Sequence, residues 1–539
     1  MNAQEAKYKL QVAMTLLGTG MMRPTRPDKA LRSLAALRRW GPTSAAAYTG
    51  AAIRYPDSAA IIDDRGTLTF EEVHRRTNAL ARRLREEGVS EGDAVAIMCR
   101  NHRGFVEATV ACSKLGASGL YLNTAFAGPQ IADVVESEDA VALIYDEEFS
   151  ELVQEGGSSR KRFIAWSDPG ASPSDPRLED LIATGDGSEL QAPSENGRVV
   201  ILTSGTTGSP KGAARKQPDS IEPAAALFSK IPLRARATTM IAAPMFHSWG
   251  FAHFTLALPL GSTLVLRRRF DPEETLRAVS QHRATALAVV PVMLQRIVDL
   301  GAETLARYDT HSLKVIAVSG SALPGELATR AMDIFGDVLY NLYGSTEVAW
   351  ATIATPEDLR AAPGTAGRPP IGTVVKLLDD EGREAKAGEG GRIFVANEMM
   401  FEGYTGGGGK EIVNGLMSTG DVGRFDSQGR LFVDGRDDEM IVSGGENVFP
   451  REVEDLLSDH RDIEEAAVVG VADEEFGQRL KAFVVLRSGA ELNEETVKEY
   501  VKANLARYKA PREVVFLQEL PRNATGKVLK RELKAGAAG

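Results

Sequence analysis

Residues 203–212 read Thr-Ser-Gly-Thr-Thr-Gly-Ser-Pro-Lys-Gly and directly follow an apolar run, 199–202, that is typical of a buried strand. The glycines let the backbone approach a ligand closely, while the hydroxyl groups and the lysine add donors and a positive charge. Such a loop predicts an anion site, best matched by a polyphosphate. It is not a Walker A loop, because Lys211 follows a proline and no serine or threonine follows it. A glycine- and serine-rich surface turn is the alternative, and the density of these groups directly after a strand disfavours it.

The composition of the 539-residue chain bounds its class. A chain of this length is too long to fold around a single hydrophobic core, so two or more domains are expected. A net charge of -11 argues against nucleic-acid binding, which needs clustered positive charge. The two cysteines, Cys99 and Cys112, lie in apolar patterns, which disfavours a disulfide framework or a cysteine zinc site and fits a cytoplasmic location.

The first 45 residues are locally basic in this acidic chain, and Leu31, Leu34, Leu37 and Trp40 recur at helical spacing. This pattern predicts either a helix lying on a membrane surface or a helix packed on the protein itself. The second prediction is favoured because amphipathic helices are common. No apolar run is long enough to span a membrane, and the N-terminus lacks a clean signal peptide.

Helix and strand patterns alternate from about residue 50. Thr69 and Glu72 form a capping box for a helix that ends near residue 87. Further predicted elements are strands at 93–99, 119–123, 262–268, 286–291, 313–319 and 338–343, and helices at 105–115 and 271–283. The stretch 156–187, rich in Gly, Ser, Asp and Pro, is predicted to be irregular surface. The alternation predicts an α/β fold of mostly parallel sheets, with ligands beyond the carboxyl ends of strands.

The chain changes character after residue 364, where short strands and glycine turns predict a β-rich subdomain to about residue 434. Another unit follows, with predicted helices at 450–458 and 494–506 and predicted strands at 465–471 and 480–486. The predicted divisions are a basic N-terminal extension, 1–45, a large N-terminal domain, 46–435, and a C-terminal domain, 436–539.

The 203–212 loop closely resembles the signature loop of the adenylate-forming superfamily, which includes acyl-CoA synthetases, aryl-CoA ligases, peptide-synthetase adenylation domains and luciferases. Further matching segments are Val-Ser-Gly-Ser-Ala-Leu-Pro at 318–324, Tyr-Asn-Leu-Tyr-Gly-Ser-Thr-Glu at 340–347, Ser-Thr-Gly-Asp at 418–421 with Gly435 and Arg436, and Pro-Arg-Asn-Ala-Thr-Gly-Lys at 521–527. The matches span about residues 50–530. The resemblance implies a large adenylation domain of layered, mostly parallel sheets with helices and a β-rich subdomain, and a small mobile α+β C-terminal domain.

The resemblance also implies a role for each motif. Glu347 and Thr203 would hold Mg²⁺, and a carboxylate beside a triphosphate is electrostatically favourable only with a divalent cation between them. Lys527 would stabilise the negative charge that builds up when a carboxylate attacks the α-phosphate, and Lys211 completes the catalytic set. The residues implied for ATP are Thr203, Ser204, Gly205, Thr206, Thr207, Gly208, Lys211, Gly320, Ser321, Asn341, Tyr343, Gly344, Ser345, Thr346, Asp421 and Arg436.

The segment 244–251 matches the part of the family that lines the acyl pocket. The residues implied there are Phe246, His247, Trp249, Phe251 and Gly320. Amino-acid-activating domains usually place an aspartate where this chain has His247, so an apolar carboxylic acid is predicted. Asp438 matches the hinge residue, and Ser443, Gly444 and Gly445 would face CoA.

The sequence therefore predicts an ATP- and Mg²⁺-dependent fatty acyl-CoA synthetase that forms an acyl-adenylate from a medium- or long-chain acid and transfers the acyl group to CoA. The alternatives are an aryl-CoA ligase of the coumarate or benzoate kind, a fatty acyl-AMP ligase, and a catalytically silent nucleotide-binding protein. A monomer or homodimer is expected, and peripheral membrane contact through the N-terminus stays open as the alternative to packing on the protein itself.

Overall fold

The computed structural model describes residues 3–23, 25–157, 160–171, 173–203, 211–215, 220–379, 381–386, 388–405, 407–443, 446–473, 477–523 and 526–536. The helices are α1 (Ala3–Thr19), α2 (Pro27–Trp40), α3 (Ser44–Arg54), α4 (Phe70–Glu86), α5 (Arg103–Leu115), α6 (Gly128–Ser137), α7 (Ser150–Gly157), α8 (Leu178–Thr184), α9 (Glu222–Phe228), α10 (Ser248–Leu260), α11 (Pro272–Gln281), α12 (Pro291–Val298), α13 (Gly301–Leu305), α14 (Gly325–Phe335), α15 (Pro356–Ala361), α16 (Pro450–Ser458), α17 (Glu494–Asn504) and α18 (Lys530–Gly536).

The strands are β1 (Ala59–Asp63), β2 (Gly66–Thr69), β3 (Ala94–Met98), β4 (Ser118–Tyr121), β5 (Ala140–Asp146), β6 (Lys161–Trp166), β7 (Val199–Thr203), β8 (Lys211–Arg215), β9 (Thr238–Ile241), β10 (Thr263–Leu266), β11 (Ala286–Val289), β12 (Val315–Val318), β13 (Leu339–Tyr343), β14 (Thr352–Ala354), β15 (Val374–Leu378), β16 (Gly391–Ala396), β17 (Gly403–Tyr404), β18 (Ile412–Val413), β19 (Leu416–Phe425), β20 (Leu431–Arg436), β21 (Ile441–Ser443), β22 (Glu446–Val448), β23 (Ile463–Asp473), β24 (Gly477–Leu486) and β25 (Glu513–Leu517). Short 3-10 turns cover Glu147–Phe149, Asp437–Glu439 and Arg507–Lys509.

Two large sheets organise the first part of the chain. One has eight strands in the order β14-β13-β12-β11-β9-β10-β1-β2, and the other has seven in the order β17-β8-β7-β4-β3-β5-β6. Their interior strands are parallel, and the antiparallel pairs lie at the sheet ends. The predicted α/β fold with mostly parallel sheets is confirmed.

Helix α5 joins the two sheets. Every residue of α5 is buried, and its apolar side chains share one core with Ile97 of β3 and Leu264 of β10, which belong to different sheets. The charged residues of α5 are enclosed as well and have partners: Arg103 pairs with Asp63 at 2.5 Å, and Glu107 pairs with Arg76 at 2.5 Å. The layered arrangement fixes the relative positions of the two sheets, and therefore of the loops at their ends.

Most predicted elements are confirmed within a few residues. Glu72 Oε2 accepts from the Thr69 N–H at 2.7 Å and Thr69 Oγ1 accepts from the Glu72 N–H at 3.2 Å, which is the predicted capping box of α4. The prediction of irregular surface at 156–187 is wrong for part of that stretch, which forms β6 and α8. The apolar run within β6 pairs with β5, and Leu178 of α8 is buried, so burial outweighs the Gly- and Pro-rich composition around them.

The later part of the chain contains two smaller sheets. Strands β15, β16, β18, β19 and β20 form an antiparallel sheet, which confirms the predicted β-rich subdomain. Strands β21–β25 form the last sheet, with α16 and α17 packed around a common core. Strand β20 ends at Arg436 and is followed by the 3-10 turn, so the predicted domain boundary falls at a junction between two sheets. That boundary remains a prediction.

The N-terminal segment forms α1 and α2, which confirms the predicted helix but not the side on which it packs. Trp40 and Ala36 of α2 are buried, whereas Leu31, Leu34 and Leu37 remain exposed. The leucines therefore do not form the packed face. Within the described residues, no helix is both long and apolar enough to cross a lipid bilayer.

Candidate active site

Loops from both large sheets border one cavity of about 2220 Å³. Strands β9, β11, β12 and β13 are parallel neighbours, so their carboxyl ends lie at one edge of the first sheet. The segments that follow these four strands contribute His247, Val292 at the start of α12, Ser321 and Glu347 to the cavity wall. The second sheet contributes Asn123, which follows β4.

Most of the predicted site residues line this cavity. They are Gly320, Ser321, Asn341, Tyr343, Gly344, Ser345, Thr346, Asp421 and Arg436 of the nucleotide set, His247, Trp249 and Phe251 of the acyl set, Glu347 of the metal set, and Asp438 and Lys527. Motifs from distant parts of the chain thus meet at one place, as the resemblance implies.

Part of the predicted phosphate loop lies outside the described residues. This applies to Ser204, Gly205, Thr206, Thr207 and Gly208, and also to Gly444 and Gly445 on the predicted CoA side. For Thr203, Lys211 and Ser443 only the backbone is described. Thr203 and Lys211 are register partners in the antiparallel pair β7–β8, so the two ends of the predicted loop are neighbours.

Phe246 is the predicted acyl-pocket residue that the structure places elsewhere. Its side chain is 6% exposed and belongs to the core cluster that includes Met245, and among the described residues it is not part of the cavity wall. The Met245 N–H donates to Asn101 Oδ1 at 2.8 Å, which holds this loop against the segment that precedes α5.

Glu347 is held by groups that the sequence did not identify. The Tyr404 hydroxyl donates to Glu347 Oε1 at 2.7 Å, and the Glu347 backbone carbonyl accepts from the Phe401 N–H at 2.8 Å. Burial alone raises the pKa of Glu347, but hydrogen bonds from Tyr404 and Ser345 outweigh it and hold the pKa below its usual range. The carboxylate is therefore ionised at neutral pH, as a magnesium ligand must be.

Tyr404 owes its position to a strand pairing. It lies on β17, opposite Ala213 of β8, the strand that leaves the predicted phosphate loop. The tyrosine therefore connects that loop to Glu347. In the sequence it is one aromatic residue before a run of glycines, which does not reveal the pairing.

Asp421 and Arg436 are brought together as predicted, because they are register partners on β19 and β20. Arg436 Nε lies 3.8 Å from Asp421 Oδ1, and the Tyr343 hydroxyl donates to Asp421 Oδ2 at 2.5 Å. Burial raises the pKa of Asp421, and Tyr343, Arg436 and Lys527 oppose that rise. The hydroxyl of Tyr343 and the positive charges of Arg436 and Lys527 therefore stabilise the ionised form of Asp421.

Asn341 carries an unused acceptor. Its side chain is 8% exposed on the cavity wall, and its Oδ1 has no hydrogen-bond partner among the described residues. A buried acceptor without a partner is costly, so a ligand that donates there gains affinity. An exocyclic amino group of a base has the required chemistry.

Lys527 reaches the cavity from the C-terminal part of the chain. Its turn is braced by Asn523 Oδ1, which accepts from the Lys527 N–H at 2.9 Å, and by Arg522, which pairs with Glu465 at 2.7 Å. Gly526 has a φ of +83°, and a Cβ there would lie 2.6 Å from Val292 Cγ1. Glycine thus allows the turn to lie directly against the large sheet domain.

The positive charge of Lys527 affects the pKa of His247. Burial, followed by the positive charge of Lys527, lowers the pKa of His247 to about 4. The imidazole is therefore neutral at physiological pH, as predicted. Lys527 lines the same cavity as His247 and Asp421, and its positive charge acts on both.

The predicted hinge contains a compact group of charges. Arg436 donates to both carboxylate oxygens of Asp438, at 3.0 and 3.3 Å. Lys530 of α18 contacts Glu439 at 3.1 Å and Glu454 of α16 at 2.9 Å. We refer to Lys530, Glu439 and Glu454 as the hinge cluster. It ties the end of the 3-10 turn to two helices of the C-terminal part.

The acyl end of the cavity has an aromatic wall. Trp249 Nε1 donates to the Val289 carbonyl at 3.0 Å, and the rings of Phe251 and Tyr121 lie 4.7 Å apart. Tyr121 and Phe126 also line the cavity, and no motif in the sequence points to them. Leu34 and Leu37 of α2 belong to the wall of the same cavity.

A second cluster of possible metal ligands does not need a metal. Cys99, His102 and Asp146 are buried and close together. His102 Nδ1 accepts from the Gly104 N–H at 3.0 Å, which leaves Nε2 to donate to Asp146 at 2.7 Å. Because both ring nitrogens have protein partners, we assign this cluster a structural role.

Comparisons with known proteins match both parts of the chain. Residues 49–405 match the family described as AMP-binding enzyme, and residues 452–527 match the AMP-binding enzyme C-terminal domain. The 2-succinylbenzoate–CoA ligase of Geobacillus kaustophilus is 34% identical over 486 residues, covering 89% of this chain and 95% of its own. The indoleacetate–CoA ligase of Aromatoleum aromaticum is 32% identical over 494 residues, covering 90% and 94%.

A solved structure agrees with these sequence matches. The o-succinylbenzoate CoA synthetase of Bacillus subtilis, in complex with an acyl-adenylate intermediate, superposes with a TM-score of 0.78 at 26% identity. The match covers 90% of this chain and 97% of that protein. Both matched sequence ranges contribute residues to the cavity wall.

Proposed function

The chain belongs to the AMP-binding enzyme family of the adenylate-forming superfamily, and on that premise we propose that it is an AMP-forming ligase that joins a carboxylic acid to CoA. The observation that carries the proposal is the meeting of Glu347, Asp421 and Lys527 at one cavity, since they come from three separate sheets or loops. An enzyme that had lost catalysis would have no need to keep all three.

ATP binding is assigned to the nucleotide end of the cavity. Asp421 and Arg436 are proposed to bind the ribose hydroxyls, and the free Oδ1 of Asn341 to accept from the adenine amino group. The loop 203–212 is proposed to hold the phosphates. Glu347 and Thr203 would hold Mg²⁺, which when bound offsets the charge of the triphosphate.

The proposed first step forms a mixed anhydride. A carboxylate oxygen of the acid attacks the α-phosphorus of ATP, the bond to the β-phosphate oxygen breaks, and pyrophosphate leaves. Lys527 stabilises the charge on the α-phosphate oxygens, and Lys211 acts at the phosphate loop. Neutral His247 lets the carboxylate approach without trapping it in an ion pair.

The proposed second step needs a rearrangement. The C-terminal domain, 436–539, rotates about Asp438, withdraws Lys527 and brings Ser443, Gly444 and Gly445 to the CoA side. The deprotonated thiol of CoA attacks the acyl carbon, a thioester bond forms, and AMP leaves. AMP is a good leaving group, so no protein nucleophile is needed.

We propose an aromatic or arylalkanoic acid as substrate, rather than the fatty acid that the sequence favoured. The aromatic wall of Tyr121, Trp249 and Phe251 supports a flat acid, and the similar ligases act on 2-succinylbenzoate and indoleacetate. A fatty acid is the second candidate, because the cavity extends past these rings to Leu34 and Leu37.

The remaining proposals concern organisation. We propose the three divisions 1–45, 46–435 and 436–539, a monomer or homodimer, and a cytoplasmic location with peripheral membrane contact through the N-terminus. Acyl transfer to CoA, rather than release of the adenylate, is part of the same proposal.

The test is AMP release from MgATP and CoA with a panel of acids, from benzoate, indoleacetate and coumarate to octanoate and palmitate. We expect the highest kcat/KM with an aromatic acid. Turnover only with alkyl acids would favour the fatty-acid candidate. Adenylate formed without thioester would indicate an acyl-AMP ligase, and no pyrophosphate release with any acid would contradict the proposed reaction.

Lys527→Ala separates the two steps. We expect adenylate formation to fall by roughly 100-fold or more, because the charge at the α-phosphate is no longer stabilised. Conversion of supplied acyl-adenylate and CoA to thioester should persist. Equal loss of both steps would show that Lys527 acts differently, and Lys534→Ala, a basic residue of α18 outside the cavity wall, is the control.

A further inference from the structure

The N-terminal helices expose an unusual amount of apolar surface. Among the described residues, most of the large hydrophobic side chains that are exposed lie between residues 10 and 37. They are Leu10, Met14, Leu17, Met22, Leu31, Leu34 and Leu37, with exposed fractions of 48% to 69%. Clustered exposure of this kind marks a surface that binds something.

Each helix is apolar on two opposite sides. In α1, Leu10, Met14 and Leu17 form one stripe, because residues four and three apart lie above one another on a helix. Val12 points away from that stripe and is 5% exposed. In α2, Trp40 is buried while Leu31, on the other side, is 69% exposed. The inner side of each helix packs against the rest of the protein. The outer stripes make no such contact with the described residues and are therefore not required for folding.

The helices are anchored, so the outer stripes are held in place. The Tyr8 hydroxyl donates to Glu398 at 3.2 Å, and the Ala235 N–H donates to the Thr19 carbonyl at 2.9 Å. Lys29 Nζ donates to the Arg54 carbonyl at 3.2 Å. Both helices precede residue 49, where the match to the AMP-binding enzyme family begins.

The surface is also basic. Residues 1–45 contain Lys7, Lys9, Arg23, Arg26, Lys29, Arg32, Arg38 and Arg39 but only Glu5 and Asp28 as acidic residues, in a chain of net charge -11. A helix surface that combines exposed leucines with lysine and arginine is suited to the interface of an anionic bilayer. The acidic remainder of the molecule is repelled by such a bilayer, which orients the protein with these helices toward it.

One end of the substrate cavity opens beside this surface. Met22, Leu34 and Leu37 are exposed, yet they also line the cavity that contains Trp249 and Lys527. Ser33 and Ala30 of α2 line it as well. An apolar molecule leaving the bilayer at α1 and α2 therefore meets the cavity without crossing open water.

We propose that the outer faces of α1 and α2 dock on an anionic lipid bilayer and place this end of the cavity against it, so that an acid dissolved in the membrane enters directly. The lipid is a phospholipid with a net negative headgroup, and it binds the surface rather than the catalytic centre. Delivery of the acid rests on the proposed ligase activity, whereas docking on lipid does not.

The first test is flotation of the full-length protein with phosphatidylcholine vesicles, with and without phosphatidylglycerol. We expect binding to the anionic vesicles only, weakened by added salt. The variant Leu10→Ser/Met14→Ser/Leu17→Ser/Leu31→Ser removes exposed side chains that are not part of the cavity wall. It should lose more than about tenfold in vesicle affinity, because these side chains no longer enter the bilayer.

A matched control removes the same kind of side chain elsewhere. Ile334→Ser/Val374→Ser/Ile412→Ser/Phe516→Ser changes exposed residues of the body, and its vesicle affinity should equal that of the unmodified protein. Lys7→Gln/Lys9→Gln/Arg32→Gln tests the charge and should lose about 100-fold, at about fivefold per basic side chain. Thermal unfolding of every variant shows that the fold is intact.

Activity assays with two kinds of acid distinguish docking on the bilayer from the ligase reaction itself. With a water-soluble acid and no vesicles, the α1–α2 serine variant should match the unmodified protein in kcat and KM. With a bilayer-dissolved acid it should show a higher KM and the same kcat. Absence of turnover with every acid would contradict the proposed function and leave the flotation result to decide docking.

Two outcomes overturn the docking proposal. One is equal binding of anionic vesicles by the unmodified protein and the α1–α2 serine variant, or binding by neither. The other is a dimer in light scattering that the serine variant converts to a monomer without any vesicle binding. In that case the outer faces of α1 and α2 bind a second copy of the chain.

Discussion

At the scale of single residues, Tyr404 is the most informative side chain in the cavity. It donates to the carboxylate proposed to hold Mg²⁺, and its strand pairs with the strand that leaves the phosphate loop. A tyrosine in that position orients Glu347 without taking both of its oxygens. We describe it as a positioning residue, because it acts through Glu347.

Tyr404→Phe removes the hydroxyl that donates to Glu347 and keeps the aromatic ring. A bond to a charged group contributes about 1.5–3 kcal/mol, so we expect kcat/KM for adenylate formation to fall by about 10- to 100-fold. The concentration of Mg²⁺ needed for half-maximal rate should rise, whereas a purely structural role would leave it unchanged. Tyr308→Phe is the matched control, since Tyr308 donates to Glu273 at 2.6 Å on the surface. Equal effects of the two substitutions would contradict the assigned role.

His253 makes a second residue-scale prediction, on stability. Its side chain is 1% exposed, lies 4.5 Å from the Trp249 ring between centroids, and has no hydrogen-bond partner for either nitrogen among the described residues. His253→Leu removes two buried unsatisfied groups. We expect the free energy of unfolding at neutral pH to rise by about 1–3 kcal/mol.

The same substitution changes the pH dependence. Burial lowers the pKa of His253 from 6.5 to about 4, so the unfolded chain binds a proton that the folded protein excludes. This histidine's contribution is complete above pH 6.5 and is lost as the pH falls toward 4. Denaturant titrations between these values should therefore show a shallower decline for His253→Leu, and an identical decline would contradict the argument.

At the scale of elements, the hinge cluster connects the 3-10 turn to helices α16 and α18. Lys530 is mostly buried between Glu439 and Glu454. Burial alone lowers the pKa of Lys530, but these two carboxylates outweigh it and the pKa lies above its usual value. The ammonium is therefore charged when the two carboxylates are.

Lys530→Met leaves two carboxylates without their cation. We expect the C-terminal domain to lose about 2–3 kcal/mol of stability, since breaking a buried pair on one side is costly. Protease cleavage within 437–440 should become faster. Lys530→Arg keeps the charge and should cleave at the original rate, and unchanged cleavage of both variants would remove the cluster's assigned role.

The elements show what the sequence can and cannot predict. Helix α16 and strand β12 follow directly from local periodicity, and α4 from its capping box. The meeting of Asp421 with Arg436 was predicted from a resemblance rather than from the physics of the chain. The contact of Tyr404 with Glu347 depends on β17 pairing with β8, residues nearly two hundred positions apart, and no local pattern encodes such a pairing. The same reason explains the orientation of Phe246.

At the scale of the whole molecule, the C-terminal turn lies against the large domain, with Gly526 beside Val292. This arrangement brings Lys527 to the cavity wall, so it corresponds to the proposed first step. The pKa of His247 depends on this arrangement, because the charge of Lys527 is the second-largest cause of its lowering, after burial.

The pKa of His247 should therefore follow the position of the C-terminal domain. NMR titration of labelled histidines, assigned with His247→Gln, should give a value of about 4 in the unliganded protein. Lys527→Ala should raise it while keeping it below 6.5, because burial is the larger cause. An acyl-adenylate analogue with CoA should also raise it, and a value that ignores both changes would contradict domain rotation.

The cavity's reach from α2 to the C-terminal turn also has a kinetic consequence. On the proposed assignment the acid enters at the α2 end of the cavity and the nucleotide binds toward the C-terminal turn, so we expect them to enter separately. Either one can associate while the other's place is empty, so neither is obliged to come first and an early acid does not exclude ATP. CoA differs, since in the proposed second step it binds only after the C-terminal domain has rotated. The expected scheme is random addition of acid and ATP, release of pyrophosphate, and then addition of CoA.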